Sequence, residues 1–200
     1  MKLIFYRHGK TAGNLEGRYN GRTDEPLCPE GISTLREKTN DTVRRVYVST
    51  LRRTAQTAAI LFPSAELVPC PGFSEMDFGL FEGKNYKDLQ NDERYRDWVN
   101  SGCEARCPDG EDRSGFMKRV CLAFERVIEE GLANREEKLV FVVHGGTIMA
   151  IFSRYASPPR PYFDWQVKNG GSLSACLNEE EWKTKKTFHL AENEKEGDKE

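Results

Sequence analysis

Two hundred residues, 38% of them hydrophobic and 31% charged, suffice for one domain with a sizeable core and exclude a disordered or fibrous chain. The formal net charge is -2, and the last twelve residues, "HLAENEKEGDKE", contribute -3 of it through five acids and two lysines, leaving the remainder at +1. No basic excess points to nucleic acid, and no stretch approaches the ~18 apolar residues of a membrane span.

The chain opens on a short apolar run, "KLIFY" (2–6), that reads as a buried strand and ends at Arg7, His8 and Gly9. A second strand is expected at "RRVYVS" (44–49), followed by a helix at "LRRTAQTAAILF" (51–62) and a short strand at "AELVPC" (65–70). Residues 85–110, rich in aromatic and charged side chains, are expected to form a small helical cap containing Tyr95 and Trp98. A long amphipathic helix follows at 112–134, with Phe116, Val120, Phe124, Val127 and Ile128 at helical spacing. "KLVFVV" (138–143) is the most continuous β-branched strand and leads into a helix at "TIMAIFSRYA" (147–156). "GSLSACL" (171–177) and "EWKTKKTFHL" (181–190) read as a terminal hairpin. Strands alternating with helices predict an α/β three-layer sandwich, a mostly parallel central sheet flanked by helices. One domain is expected over 1–188, with 189–200 a frayed acidic tail. The opening apolar run is too short for a secretory leader, so a cytoplasmic protein with reduced cysteines is expected. Cys103 and Cys107 lie four apart without two further ligands at suitable spacing, and no metal or cofactor is expected.

In a parallel sheet, ligands bind beyond the carboxyl ends of the strands. The first expected strand ends in Arg7-His8-Gly9, the second in Ser49 to Arg53, the third in His144-Gly145-Gly146, so two of the three histidines stand at these tips among arginines. Such a cationic cluster suits a phosphate group. A neutral imidazole can attack phosphorus, arginines and a second histidine can neutralise developing charge, and an acid with a raised pKa must protonate the leaving oxygen. The stretch "GFSEMDFGLFEGK" (72–84) offers Glu75, Asp77 and Glu82 in apolar company, and position does not choose among them. No Gly-x-x-x-x-Gly-Lys-Ser/Thr loop and no Gly-x-Ser-x-Gly elbow occurs, which argues against a P-loop nucleotide site and an α/β-hydrolase.

Four blocks in order, "RHGKTAGN", "STLRRTAQTA", "SEMDFGLFEGK" and "VVHGG", resemble the histidine phosphatase (phosphoglycerate mutase-like) superfamily. The resemblance implies that His8 is the nucleophile that becomes phosphohistidine and Glu75 the proton donor. It also implies that Arg7, Arg52 and His144 clamp the phosphoryl group. Asn14 would contact phosphate, Asn20 and Gly21 would contact substrate, Gly145 would give a backbone N–H, and Gly9 would let the chain turn away with no Cβ in the pocket. The sequence departs from the family at Lys10, where an acid is common, at Thr50, where proline is common, and in "PDGED". The stretch "GRYNGRTDEPLCPEG" (17–31) is similar to bacterial α-ribazole phosphatases of cobalamin synthesis, which implies a metal-independent phosphomonoester hydrolase acting on a small molecule, as a monomer or homodimer. The alternatives are a cofactor-dependent mutase-type isomerase, a general or phosphoserine phosphatase, and a non-catalytic phosphate-binding module.

Overall fold

Period-two alternation in the apolar strands sends successive side chains to opposite faces of a sheet, and each face needs its own cover. The computed structural model describes residues 1–39 and 42–191. In chain order its elements are β1 (Lys2–Arg7), α1 (Ala12–Leu15), α2 (Pro29–Arg36), β2 (Arg45–Val48), α3 (Arg52–Leu61), β3 (Glu66–Pro69), α4 (Tyr86–Leu89), α5 (Glu93–Asn100) and α6 (Arg113–Ala133). There follow β4 (Lys138–Val143), α7 (Gly145–Tyr155), β5 (Ala156–Ser157), β6 (Ser172–Cys176), α8 (Glu179–Lys185) and β7 (Phe188–Leu190). The strands form one mixed sheet in the order β3-β2-β4-β1-β6-β7-β5. The block β3-β2-β4-β1 is parallel throughout, while β6 runs antiparallel to both β1 and β7.

Two cores lie on the two faces. Leu3, Phe5, Tyr47, Leu139, Phe141 and Val143 point to the side covered by α6 and α7. Val46, Val48, Val140 and Val142 point to the side where Leu35 of α2 and Ala58 and Leu61 of α3 pack. Phe141 joins the sheet side of the larger core to its helices. Its ring stacks on Phe5 at 4.6 Å and meets Tyr47, Phe73 and Phe124 at 5.5–5.8 Å. Aromatic pairs of this kind add about 0.5–1.5 kcal/mol each beyond their burial. Residues 85–110 carry α4 and α5, and Tyr95 and Trp98 are buried against Phe81.

The terminal hairpin is realised differently from the expectation. β6 and β7 do pair antiparallel, Ala175 against Leu190 and Cys176 against His189. Between them, 179–185 is helical rather than extended. Asn178 caps that helix by accepting from the N–H groups of Glu180 and Glu181. Glu179, Glu180 and Glu181 fill its first turn and Lys183 and Lys185 its last, which suits the helix dipole. Trp182 is its buried anchor, and Lys186 in the left-handed conformation (φ 53°) stops it. These local signals outweigh the alternating pattern of "TKKTF". β7 also takes His189 and Leu190 out of the expected tail, and residues 192–200, where the rest of that expectation falls, lie outside the described residues. Among the described residues no helix is long and apolar enough to cross a membrane.

Candidate active site

The sheet order sets β2, β4 and β1 side by side, with Arg7 level with Val143 and Val48 level with Val142. Their carboxyl ends therefore deliver Ser49, His144 and Arg7-His8 to one place, as the strand-tip argument requires. A cavity of about 370 Å³ opens there. Arg7, His8, Asn14, Asn20, Glu75 and Gly145 line it near the strand tips; Tyr19, Phe78, Trp98, Tyr162 and Phe163 form an aromatic wall, with the Arg113 guanidinium over the Tyr162 and Phe163 rings.

His8 is buried, and its Nδ1–H donates to the Gly9 carbonyl at 2.7 Å. That bond fixes the tautomer and leaves Nε2 with a free lone pair. Burial, reinforced by Arg53 and Arg7, holds the ring well below the ordinary histidine value, so it is neutral. Arg7 donates from Nη1 to the Val167 carbonyl at 2.8 Å, while its buried Nε has no partner among the described residues. Asn14 accepts on Oδ1 from Thr11 N and from Asn169 Nδ2, so its own amide N–H groups are left for a ligand. Asn169 also donates to the His8 carbonyl. The N-terminus of α7 begins at Gly145 on the cavity wall and adds backbone donors and a positive dipole end.

Of the three acids in the block, Glu75 is the one on the wall of this cavity. It lines the cavity, accepts from Met76 N and Gly146 N, and is raised by burial above the ordinary carboxyl value despite those bonds and the nearby Arg53 and Arg7. Asp77 pairs instead with Arg22 and caps the Gly79 N–H. Glu82 is saturated by the loop 21–23 and by Phe78 N.

Four expectations are corrected. Arg52 is exposed on the first turn of α3, its N–H bonded to Asp24. The arginine at the site is Arg53, 1% exposed. One residue along a helix turns the side chain by about 100°, and Arg53 shares its face with the buried Thr57 and Leu61. Arg53 donates from Nε to His144 Nδ1 at 3.3 Å, from Nη1 to the Thr23 carbonyl, and from Nη2 to the carbonyls of Asn20 and Gly21. His144 is fully buried, with its ring 5.2 Å from that of His8 in an edge-on arrangement. With Nδ1 accepting from Arg53, its Nε2–H donates to Ser49 Oγ at 2.7 Å. Both ring nitrogens are engaged, so His144 backs the His8 ring rather than presenting a free donor to the cavity. Gly21 is likewise off the cavity wall. A Cβ there would lie 1.7 Å from the Met76 carbonyl oxygen, so glycine is demanded by packing. Gly9 too is a packing glycine: its Cβ would meet Leu35 Cδ1 at 2.7 Å, on the α2 side.

The Histidine phosphatase superfamily (branch 1) profile matches residues 3–189. The chain belongs to this superfamily. Among curated relatives of this histidine phosphatase superfamily member is the adenosylcobalamin/alpha-ribazole phosphatase of Escherichia coli strain K12. It is 28% identical over 169 residues, covering 80% of this chain and 81% of the relative. A protein named probable phosphoglycerate mutase GpmB, from Enterobacter sp. strain 638, is 30% identical over 128 residues and 60% of each chain. The crystal structure of the alpha-ribazole phosphatase from Shigella flexneri superposes with a TM-score of 0.78 at 28% identity, covering 96% of this chain and 95% of that one. The superfamily member thus carries the α/β sandwich of phosphoglycerate mutase-like folds.

Residues the sequence reading passed over are Arg53, Ser49 as partner of His144, Asn169 and Gly146. Arg53 was findable by counting back in fours from the apolar Leu61 through Thr57. Gly146 was findable only in three dimensions, because its N–H donates to Glu75 at 2.9 Å and a Cβ there would sit 2.2 Å from Glu75 Oε1. Asn169 comes from a loop far along the chain and carries no local signal.

Proposed function

We propose that the protein is a phosphomonoester hydrolase working through a phosphohistidine on His8, with Glu75 as proton donor. The observation that carries this reading is the His8 Nδ1–Gly9 bond, which leaves Nε2 as a neutral nucleophile beside Arg7, Asn14 and Glu75.

The Nε2 lone pair attacks phosphorus and the bond to the leaving oxygen breaks. The Glu75 carboxyl gives its proton to that oxygen. The ring, still protonated on Nδ1, spreads its new positive charge toward the Gly9 carbonyl. Arg7, the Asn14 amide and the Gly145 end of α7 hold the transferring oxygens as charge moves over them. Glu75, now a carboxylate, takes a proton from a water whose oxygen attacks phosphorus. The P–N bond breaks, its electron pair returns to Nε2, and inorganic phosphate leaves. Both protons are accounted for by Glu75.

For the substrate we favour a small phosphomonoester with a flat leaving group, α-ribazole 5′-phosphate in cobalamin assembly being the specific candidate. The aromatic wall of Tyr19, Phe78, Trp98, Tyr162 and Phe163 supports a planar group, and relatives of closely similar length carry that name. Phosphate release with EDTA present, across α-ribazole 5′-phosphate, phosphoserine, 3-phosphoglycerate and p-nitrophenyl phosphate, tests both levels. Rapid quench should leave acid-labile, alkali-stable label on His8. Label on an aspartate or serine would overturn the mechanism, and interconversion of phosphoglycerates with little free phosphate would favour the mutase reading.

A further inference from the structure

We propose that Glu82, one of the three acids in the "SEMDFGLFEGK" block, is a positioning residue that fixes the His144 tautomer through the loop 20–23 and Arg53. The claim about the chemical step rests on the phosphohistidine reading above; the claim about the tautomer does not.

Glu82 sits half-buried in a nest of donors. Its carboxylate accepts from Gly21 N at 3.0 and 3.1 Å, Arg22 N at 3.0 Å and Thr23 N at 3.2 Å. It also accepts from Thr23 Oγ1 at 2.6 Å and Phe78 N at 3.1 Å. Successive backbone N–H groups converging on one anion make a fixed, charge-assisted cradle. The same loop faces the other way with its carbonyls. Asn20, Gly21 and Thr23 present their C=O groups to the Arg53 guanidinium at 2.7–3.1 Å. The peptide dipoles of 20–23 are therefore stacked between an anion on their N–H side and a cation on their C=O side. Neither charge touches the other, and each orients the peptides that the other uses.

Three of the five Arg53 N–H groups go to these carbonyls, and that grip aims Nε at His144 Nδ1. That contact makes Nδ1 an acceptor and puts the His144 proton on Nε2, where Ser49 Oγ receives it. Ser49 Oγ also accepts from Leu51 N and bonds the Thr54 hydroxyl, so the chain ends in saturated partners. The ring so fixed lies edge-on to His8. Gly21 is where the path is tightest, since any Cβ would strike Met76 O at 1.7 Å and Glu82 Oε1 at 2.6 Å.

The Glu82→Gln variant keeps the shape but offers one acceptor oxygen where two were used and turns N–H groups toward N–H donors. The loop must then shift and release Arg53. In histidine-labelled protein, ring ¹⁵N signals of His144 in the resting wild type should report a single Nε2–H tautomer. In Glu82→Gln a substantial fraction of the Nδ1–H form should appear, and kcat should fall roughly 10- to 100-fold, the range that a small displacement of reacting groups produces. Glu82→Asp, which shortens the reach but restores the charge, should retain more of the Nε2–H tautomer than the isosteric Gln, the reverse of what a packing role predicts. A folded Glu82→Gln protein with the wild-type His144 tautomer and kcat within twofold would overturn the proposal. Should Glu82→Gln fail to fold, Thr23→Val decides, because it removes only the 2.6 Å hydroxyl bond. A second His144 tautomer in that variant supports the proposal, and wild-type signals overturn it. The ring signals are read without substrate, so they stand whether or not the wild type releases phosphate.

Discussion

Arg53 donates from Nε to His144 Nδ1 at 3.3 Å, whereas its neighbour Arg52 points to solvent. The pair supplies an internal control, because two adjacent arginines differ only in which way α3 turns them. Arg53→Ala is expected to lower kcat/KM by about 100-fold or more, the cost of losing a preorganised charge at a reacting centre. Arg52→Ala is expected to stay within about twofold. Steady-state kinetics of the two variants side by side checks this, and equal losses would contradict the assignment.

The pH profile follows from two opposite displacements. His8 must be neutral to attack, and burial holds its pKa well below the ordinary 6.5, so the acid limb of kcat/KM lies below that value. Glu75 must be protonated to donate, and burial raises it above the ordinary 4.5, so the alkaline limb lies above that value. The profile should be bell-shaped, with His8 setting the acid limb and Glu75 the alkaline one. A kcat/KM that climbs steadily from pH 4 to 10 would remove Glu75 from the mechanism.

Stability carries its own pH signature. His8 and His144 are both buried and both held below the ordinary histidine value. Below pH 6.5 the unfolded chain takes up protons that the native state refuses, so stability falls as pH drops, until the depressed native values are reached. The slope is about 1.4 kcal/mol per pH unit for each histidine. Urea unfolding between pH 7.5 and 5 should show it, and His8→Asn should remove roughly one histidine's share.

Gly146→Ala places a methyl 2.2 Å from Glu75 Oε1 while adding a good helix former to the first turn of α7. Glu75 must swing away and lose the Gly146 N–H. A kcat loss of about tenfold or more with little change in Tm is expected. A variant with wild-type kcat would show that Glu75 does not need this seat.

Phe141 is fully buried and touches four other rings. Phe141→Ala is expected to destabilise by about 3–5 kcal/mol. Denaturant midpoints at constant slope measure this directly.

How far the sequence could carry the argument depends on the range of the signal. The parallel block was legible because "KLIFY", "RRVYVS" and "KLVFVV" are continuous apolar runs that only a doubly covered sheet can bury, and the strand-tip rule then gathers Arg7, His8 and His144. The helix at 179–185 was missed because its evidence lies in caps, Asn178 before it and a left-handed Lys186 after it, rather than in periodicity. Arg52 was preferred to Arg53 because adjacency in sequence hides a turn of about 100° around the helix. Glu82 and Asp77 could not be separated from Glu75, since the distinction is which backbone N–H groups converge on each, and those come from residues as distant as Gly21 and Gly146.

Both edge partners of β1 lie far downstream of it in the chain. Lys2 of β1 lies against Lys138 of β4 on one side and Cys176 of β6 on the other, and the amino terminus bonds the carbonyl of Leu177. During synthesis at about 5–20 residues per second, "KLIFY" therefore waits on the order of 10–30 s with both hydrogen-bonding edges unpaired. Over that interval the nascent chain lacks the assembled site and exposes the unpaired edges of an apolar segment. Chaperone capture and aggregation in the cell should therefore track translation speed, and a nascent chain stalled before β6 should bind chaperone through its first six residues.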